Sequence, residues 1–194
     1  VMIDTLLHHR ESALKRETLA QFDIPPKDYV LVTMHRPSNV DNESVLTGIV
    51  GALERIAEEI RLLIPLHPRT RQSLERFGLA DRVHQNARMQ VAEPFGYLDF
   101  LNCTANARAV LSDSGGVQEE TTILGVPCFT ARENTERPVT ISQGTNTLVD
   151  PHDPDVVVDA LLRELRAPRA GVDTAPELWD GSAAQRIAEI LLPD

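Results

Sequence analysis

The chain has 194 residues, enough for one full-sized domain with a sizeable buried core. A hydrophobic content of 42% and a charged content of 25% are those of an ordinary globular protein. The net charge of −10 argues against a nucleic-acid binder, because no basic excess exists to pair with a phosphate backbone; a locally basic pocket for a small anion stays open.

Met2 to Phe22 has a helical pattern, with Leu6, Leu7, Leu14 and Leu19 recurring among charged residues and neither glycine nor proline interrupting. No strand precedes it, which points to a connection arriving from elsewhere; Pro25 and Pro26 end it. Tyr29 to Met34 is the first buried strand, rich in β-branched and aromatic residues. His35-Arg36-Pro37-Ser38-Asn39 follows directly, at the place where open α/β sheets bind ligands. A His-Arg pair there can contact a phosphate and supply a proton-transfer group; the plainer reading is a loop whose Asp41 or Asn42 caps the next helix.

Glu43 to Ile60 is a strongly amphipathic helix, and Arg61 to Leu66 a second strand ending in His67-Pro68-Arg69. His67 is as readily a satisfied loop histidine as a functional one. Thr70 to Phe77 is a short helix stopped by Gly78, and Arg88 to Ala92 a weaker strand followed by Glu93-Pro94-Phe95-Gly96. A helix begins at Tyr97; Phe100 within it reads first as core, with a stacked flat base as the sharper alternative.

Ala109 to Leu111 is an apolar run of strand length. Ser112, Asp113 and Ser114 are turn and N-cap residues, and a helix begins near Ser114 and closes at Gly125. Gly115 and Gly116 remove side chains at that junction, so the helix's unpaired N–H groups and positive dipole end face whatever lies above the strand; a phosphate fits best. Ser-Gly-Gly alone is equally a tight turn. Gln118, Glu119 and Glu120 add polar groups in the first turns, and a carboxylate there can accept from ribose hydroxyls. Beyond the strand at 127–130, residues 131–138 carry Arg132 and Arg137 offset by Glu133 and Glu136; Arg137 can hold an anion in bidentate fashion. Leu148-Val149 is a last strand, Asp153-Pro154 opens a helix to Arg166, 168–176 is a loop, and 182–192 is a final helix. Repeated βα steps predict a doubly wound parallel sheet of Rossmann type. Cys103 and Cys128 read as buried thiols of a reducing compartment, and no apolar run reaches membrane length, so the expectation is a cytoplasmic protein without membrane contact.

The motifs His35-Arg36-Pro37-Ser38-Asn39, His67-Pro68, Ser112 through Glu120, Leu124-Gly125-Val126-Pro127, and Thr135-Glu136-Arg137-Pro138 with Gly144-Thr145 stand in that order. Together they resemble the C-terminal half of the non-hydrolysing UDP-N-acetylglucosamine 2-epimerases. The resemblance implies one half of a two-domain GT-B type fold, with 1–28 as an interdomain connection and 29–194 as the UDP-binding domain. It implies Ser114, Gly115 and Gly116 at the diphosphate, Glu120 at the ribose, Phe100 and the backbone near Phe95 at the uracil, and Arg137 at the phosphates. His35 then lies at the catalytic cleft and His67 lines it. The implied chemistry eliminates UDP across C1–C2 and re-adds it with the opposite configuration at C2, interconverting UDP-GlcNAc and UDP-ManNAc without a cofactor or metal. The partners implied are UDP, a UDP-N-acetylhexosamine, an N-terminal domain holding the proton-abstracting carboxylates, and a second copy in a homodimer. Ser38 and Val139 stand where many members have glutamate, and Ser38 bears on any allosteric substrate contact of its loop. The alternatives are the donor-binding domain of a GT-B glycosyltransferase or of a hydrolysing epimerase, and a nucleotide-binding module without chemistry of its own.

Overall fold

The computed structural model describes residues 1–167 and 175–192. The strands are β1 (Tyr29–Thr33), β2 (Arg61–Pro65), β3 (Met89–Ala92), β4 (Ala109–Ser112), β5 (Cys128–Ala131) and β6 (Asn146–Val149). They form a six-stranded sheet in the order β3-β2-β1-β4-β5-β6, every neighbouring pair parallel. The chain builds outward from β1 through β3, then returns to place β4 on the other side of β1. That reversal makes the β1/β4 boundary the switch point of a doubly wound sheet, where the loops diverge and open a crevice.

The central strands β1, β2, β4 and β5 are buried on both faces, as a sheet covered on both sides requires. Val30 and Val32 of β1, Leu62 and Ile64 of β2, and Leu111 of β4 face one layer. That layer is built by α3 (Glu43–Ala57), α4 (Pro68–Arg76), α5 (Ala80–His84) and α9 (Pro154–Arg166). Tyr29, Leu31, Leu63, Val110 and Cys128 face the other, beneath α6 (Tyr97–Asn106) and α7 (Gly115–Leu124). Both cysteines are buried free thiols, and burial pushes their pKa values up to about 12 and about 11. Pro37, Pro68 and Pro154 stand in the first turns of α2 (Pro37–Val40), α4 and α9, where the absent N–H is no loss.

Several element limits differ from the sequence reading. The opening helix is shorter: α1 spans Met2–Leu14, and a separate 3₁₀ turn spans Thr18–Phe22. Its continuation is broken because Asn102 donates to the carbonyls of Ala13 (2.9 Å) and Arg16 (3.1 Å), capping the helix from outside. Helix α1 thereby forms a third layer, burying Leu6 and Ala13 against Leu101, Leu98 and Ile123 of α6 and α7. The short helices α5 and α8 (Val139–Ser142) lie in stretches too brief to show a period, and β6 starts two residues earlier than its apolar pair suggests. Of the expected 168–176 loop, residues 168–174 lie outside the described residues. The final helix, α10 (Ala183–Leu191), and the Asp153 cap of α9 fall where expected.

Asn102→Ala removes the donor to two carbonyls at the end of α1. Urea unfolding should show a loss of about 1–3 kcal/mol; an unchanged midpoint would mean that α1 is not part of the cooperative unit.

Candidate functional site

The carboxyl ends of β1 and β4 lie side by side, with Thr33 in register with Ser112. Asp113 follows β4 and is fully buried. It does not cap α7. Its carboxylate accepts from the N–H groups of His35 (3.1 and 3.0 Å) and Arg36 (2.8 Å) and from Asn39 Nδ2 (3.1 Å). It also faces the His35 imidazole, with Nδ1 at 2.9 Å from Oδ1. Burial works to raise the Asp113 pKa, but these donors win and hold the carboxyl below its usual range. In return the His35 pKa is raised, chiefly by Asp113, against burial and the neighbouring Arg36 charge. Because Nδ1 faces Asp113, the Nε2 of the half-exposed His35 ring is left for a ligand.

Arg36 donates from Nε to the Asp113 carbonyl at 2.9 Å and borders a pocket with Ser38, Arg132 and His152. The His67 ring lies 5.3 Å from that of His35, centroid to centroid. His67 caps α4, its Nδ1 accepting from the Arg69 N–H at 3.1 Å, so the structural role and the cleft position coincide in one residue. Asn39 is buried between Asp113 and the Ala131 carbonyl; of the two candidate caps, Asp41 and Asn42, it is Asn42 that caps α3.

Ser114 is the N-cap of α7, yet its side chain makes no capping bond, which leaves the first-turn N–H groups of α7 without that partner. A Cβ on Gly115 would meet nothing within 4 Å, so the space above this turn is open to a ligand. Gly116 differs: a Cβ there would fall 2.8 Å from Met2 Cε, so its missing side chain makes room for α1.

Further along α7, Glu120 is 6% exposed, and burial with the Glu119 charge raises its pKa to about 7, opposed by the Tyr97 hydroxyl that donates to it. Phe100 and Phe95 are partly buried against the α6/α7 core, Phe95 lying 5.8 Å from the Phe22 ring, centroid to centroid. Arg137 pairs with Glu119 at 3.1 Å, whereas Arg132 is held in bidentate fashion by Glu136 (2.8 and 2.7 Å). Asp113 and Tyr97 are the site residues that sequence reasoning missed. Asp113 looks like any turn residue, and only its place at the switch point could have drawn notice.

The sequence profile of the family described as UDP-N-acetylglucosamine 2-epimerase matches residues 1–192. The UDP-N-acetylglucosamine 2-epimerase of Methanocaldococcus jannaschii is 37% identical over 98% of this chain and 52% of its own length. The UDP-2,3-diacetamido-2,3-dideoxy-D-glucuronate 2-epimerase of Pseudomonas aeruginosa is 36% identical over 98% of this chain and 51% of its own. The crystal structure of the M. jannaschii UDP-GlcNAc 2-epimerase in complex with UDP-GlcNAc and UDP superposes with a TM-score of 0.87 at 38% identity, covering 98% of this chain and 52% of that one. The chain thus spans about half the length of these relatives.

Glu120 carries a pH signature. In the unfolded chain its carboxyl ionises near 4.5 and in the folded chain near 7, so stability falls as pH rises between those values. Glu120→Gln removes that loss. Its stability relative to wild type should be higher at pH 8 than at pH 5 by about 2–3 kcal/mol, read from denaturant titrations. A gap independent of pH would show that Glu120 ionises as an exposed carboxyl does.

Proposed function

We propose that this chain, which belongs to the UDP-N-acetylglucosamine 2-epimerase family, is the UDP-binding half of a sugar-nucleotide 2-epimerase acting on a UDP-N-acetylhexosamine. The observation that carries the reading is the switch-point crevice. An uncapped helix N-terminus with open space above Gly115 stands beside a histidine whose protonated form is favoured by a buried carboxylate. That combination suits a diphosphate that leaves with negative charge.

In this reading the α7 N-terminus and Arg137 hold the diphosphate, Glu120 accepts from the ribose, and Phe100 with the backbone near Phe95 borders the uracil. A base removes the proton from C2, and that electron pair forms the C1=C2 bond. The C1–O bond breaks with its pair on the β-phosphate oxygen of UDP. Protonated His35, through Nε2, stabilises that oxygen; re-addition of UDP and return of a proton to the opposite face of C2 complete the exchange. The base belongs to a second domain, residues 1–28 to the connection with it, and the working protein is a cytoplasmic homodimer. What supports these last points is the family and the half-length match; no helix among the described residues is long and apolar enough to cross a membrane.

Calorimetry on the purified chain should show UDP binding without turnover of UDP-N-acetylglucosamine. Gly115→Val, which fills the open space above the turn, should weaken that binding by more than tenfold, roughly the scale of losing a charge-assisted contact, while the unfolding midpoint barely moves. Unchanged UDP affinity would remove the diphosphate from this turn.

In the two-domain protein, His35→Asn should lower kcat by roughly 10²-fold or more while UDP affinity falls far less. Near-normal kcat with a large loss of UDP binding would move His35 from the chemistry to the phosphate site.

A further inference from the structure

The loop that carries Arg137 is anchored by buried amides that the scheme above does not use. Gln118 of α7 is fully buried and Asn146, opening β6, is 4% exposed. The backbone of Arg137 dictates how they are wired. Its N–H can only donate, and does so to Thr135 Oγ1 at 2.9 Å; the Thr135 hydroxyl proton is therefore free for Gln118 Oε1 at 2.6 Å. Its carbonyl can only accept, and takes the Thr140 hydroxyl proton at 2.7 Å; Thr140 Oγ1 is then left to accept from Asn146 Nδ2 at 3.1 Å. The amides are joined to each other, Asn146 Nδ2 also donating to Gln118 Oε1 at 3.1 Å, and Asn146 Oδ1 takes the Thr130 hydroxyl at 2.6 Å. Gln118 Nε2 reaches back to the Ser114 carbonyl at 3.3 Å. Gly144 lets the loop close over this set, since a Cβ there would lie 2.5 Å from the Thr140 carbonyl oxygen.

One peptide unit on each side of Arg137 is thus held by a threonine hydroxyl, and each hydroxyl is backed by a buried amide tied to α7. We infer that Gln118 and Asn146 are positioning residues that hold the Arg137 backbone at a fixed spacing from the Ser114 turn, so that its side chain, which pairs with Glu119 of the same helix, and the helix N-terminus act on the phosphates of one ligand together. The inference rests on the UDP reading. The gain is preorganisation: the loop is ordered before the ligand arrives, and binding does not bear that entropy. Every bond in the set has a direction forced by Arg137, and a buried network of this kind is rigid when all its members are satisfied.

Thr135 is the part-exposed link, so its substitution spares the core. Thr135→Val removes the hydroxyl and keeps the shape; Thr135→Ser restores it. In the purified chain, Thr135→Val and Gln118→Met should each speed amide exchange at Arg137. Thr135→Val should weaken UDP binding roughly tenfold, the scale of one misplaced charge-assisted hydrogen bond. Uridine binding, followed by NMR titration, should not change, and Thr135→Ser should behave as wild type. In an Arg137→Met background, Thr135→Val should have no further effect on UDP. Equal losses for UDP and uridine, or a Thr135→Val effect that persists in the Arg137→Met background, would overturn the inference while leaving the UDP site standing. If Arg137→Met alone left UDP affinity unchanged, the assignment of Arg137 to the phosphates would fall, and the inference with it.

Discussion

The site depends on one buried ion. Asp113 has no exposed surface, and a carboxylate in that position is tolerated only when donors replace its lost hydration. Those donors all come from the stretch after β1: the N–H groups of His35 and Arg36, the Asn39 amide and the His35 imidazole. The loops after β1 and β4 diverge at the switch point, and nothing in strand pairing holds them together beyond Thr33 and Ser112. The carboxylate does so. It fixes the course of the β1 loop, orients the His35 ring by its Nδ1, and raises the pKa of that ring, so one electrostatic requirement sets geometry and protonation together.

On the other side of the crevice the backbone of the Arg137 loop is held without charge. Where Asp113 gathers backbone donors by ionic attraction, Thr135 and Thr140 meet the N–H and the carbonyl of Arg137, backed by the neutral amides of Gln118 and Asn146. The difference suits what each loop carries. A histidine that exchanges protons gains from a neighbouring ion, whereas the Arg137 backbone needs only neutral partners, its guanidinium charge being met by Glu119 at 3.1 Å. Helix α7 stands between the two anchors. Its N-terminus points at the crevice, and its buried face supplies Gln118 and Glu120, so any displacement of α7 would move the Ser114 turn and both side chains together.

The parallel doubly wound sheet was legible because βα alternation, apolar strands and Pro or Asx helix starts are local signals that tertiary packing did not override. The open turn before α7 was legible for the same reason: Ser-Gly-Gly between strand and helix marks the turn within a few residues. What escaped was long-range. Asp113 acts on groups nearly eighty residues away, with |i−j| of 78 for His35, and its sequence neighbours describe only a turn. Gly116 resembles Gly115 in sequence, and only the position of Met2 distinguishes a glycine needed for packing from one open to a ligand. Asn102, which ends α1, lies 89 residues from the carbonyl it satisfies, so no pattern inside α1 shows where that helix stops.

The overall charge of −10 and an anionic ligand are compatible for a reason visible at the site. Screening confines exposed charges to a range of about 8 Å at physiological ionic strength, so a ligand in the crevice senses its immediate lining more than the distant acidic surface. That lining is cationic in its partial charges before any full charge is counted, since the α7 N-terminus presents uncapped N–H groups. The full charges are then regulated by carboxylates that stand behind them. Asp113 promotes the charge of His35, while Glu119 and Glu136 pair with Arg137 and Arg132. These carboxylates therefore hold the cations in place, and the sign of the crevice is set by which groups face it: imidazole Nε2 and backbone N–H in front, the buried Asp113 carboxylate beneath.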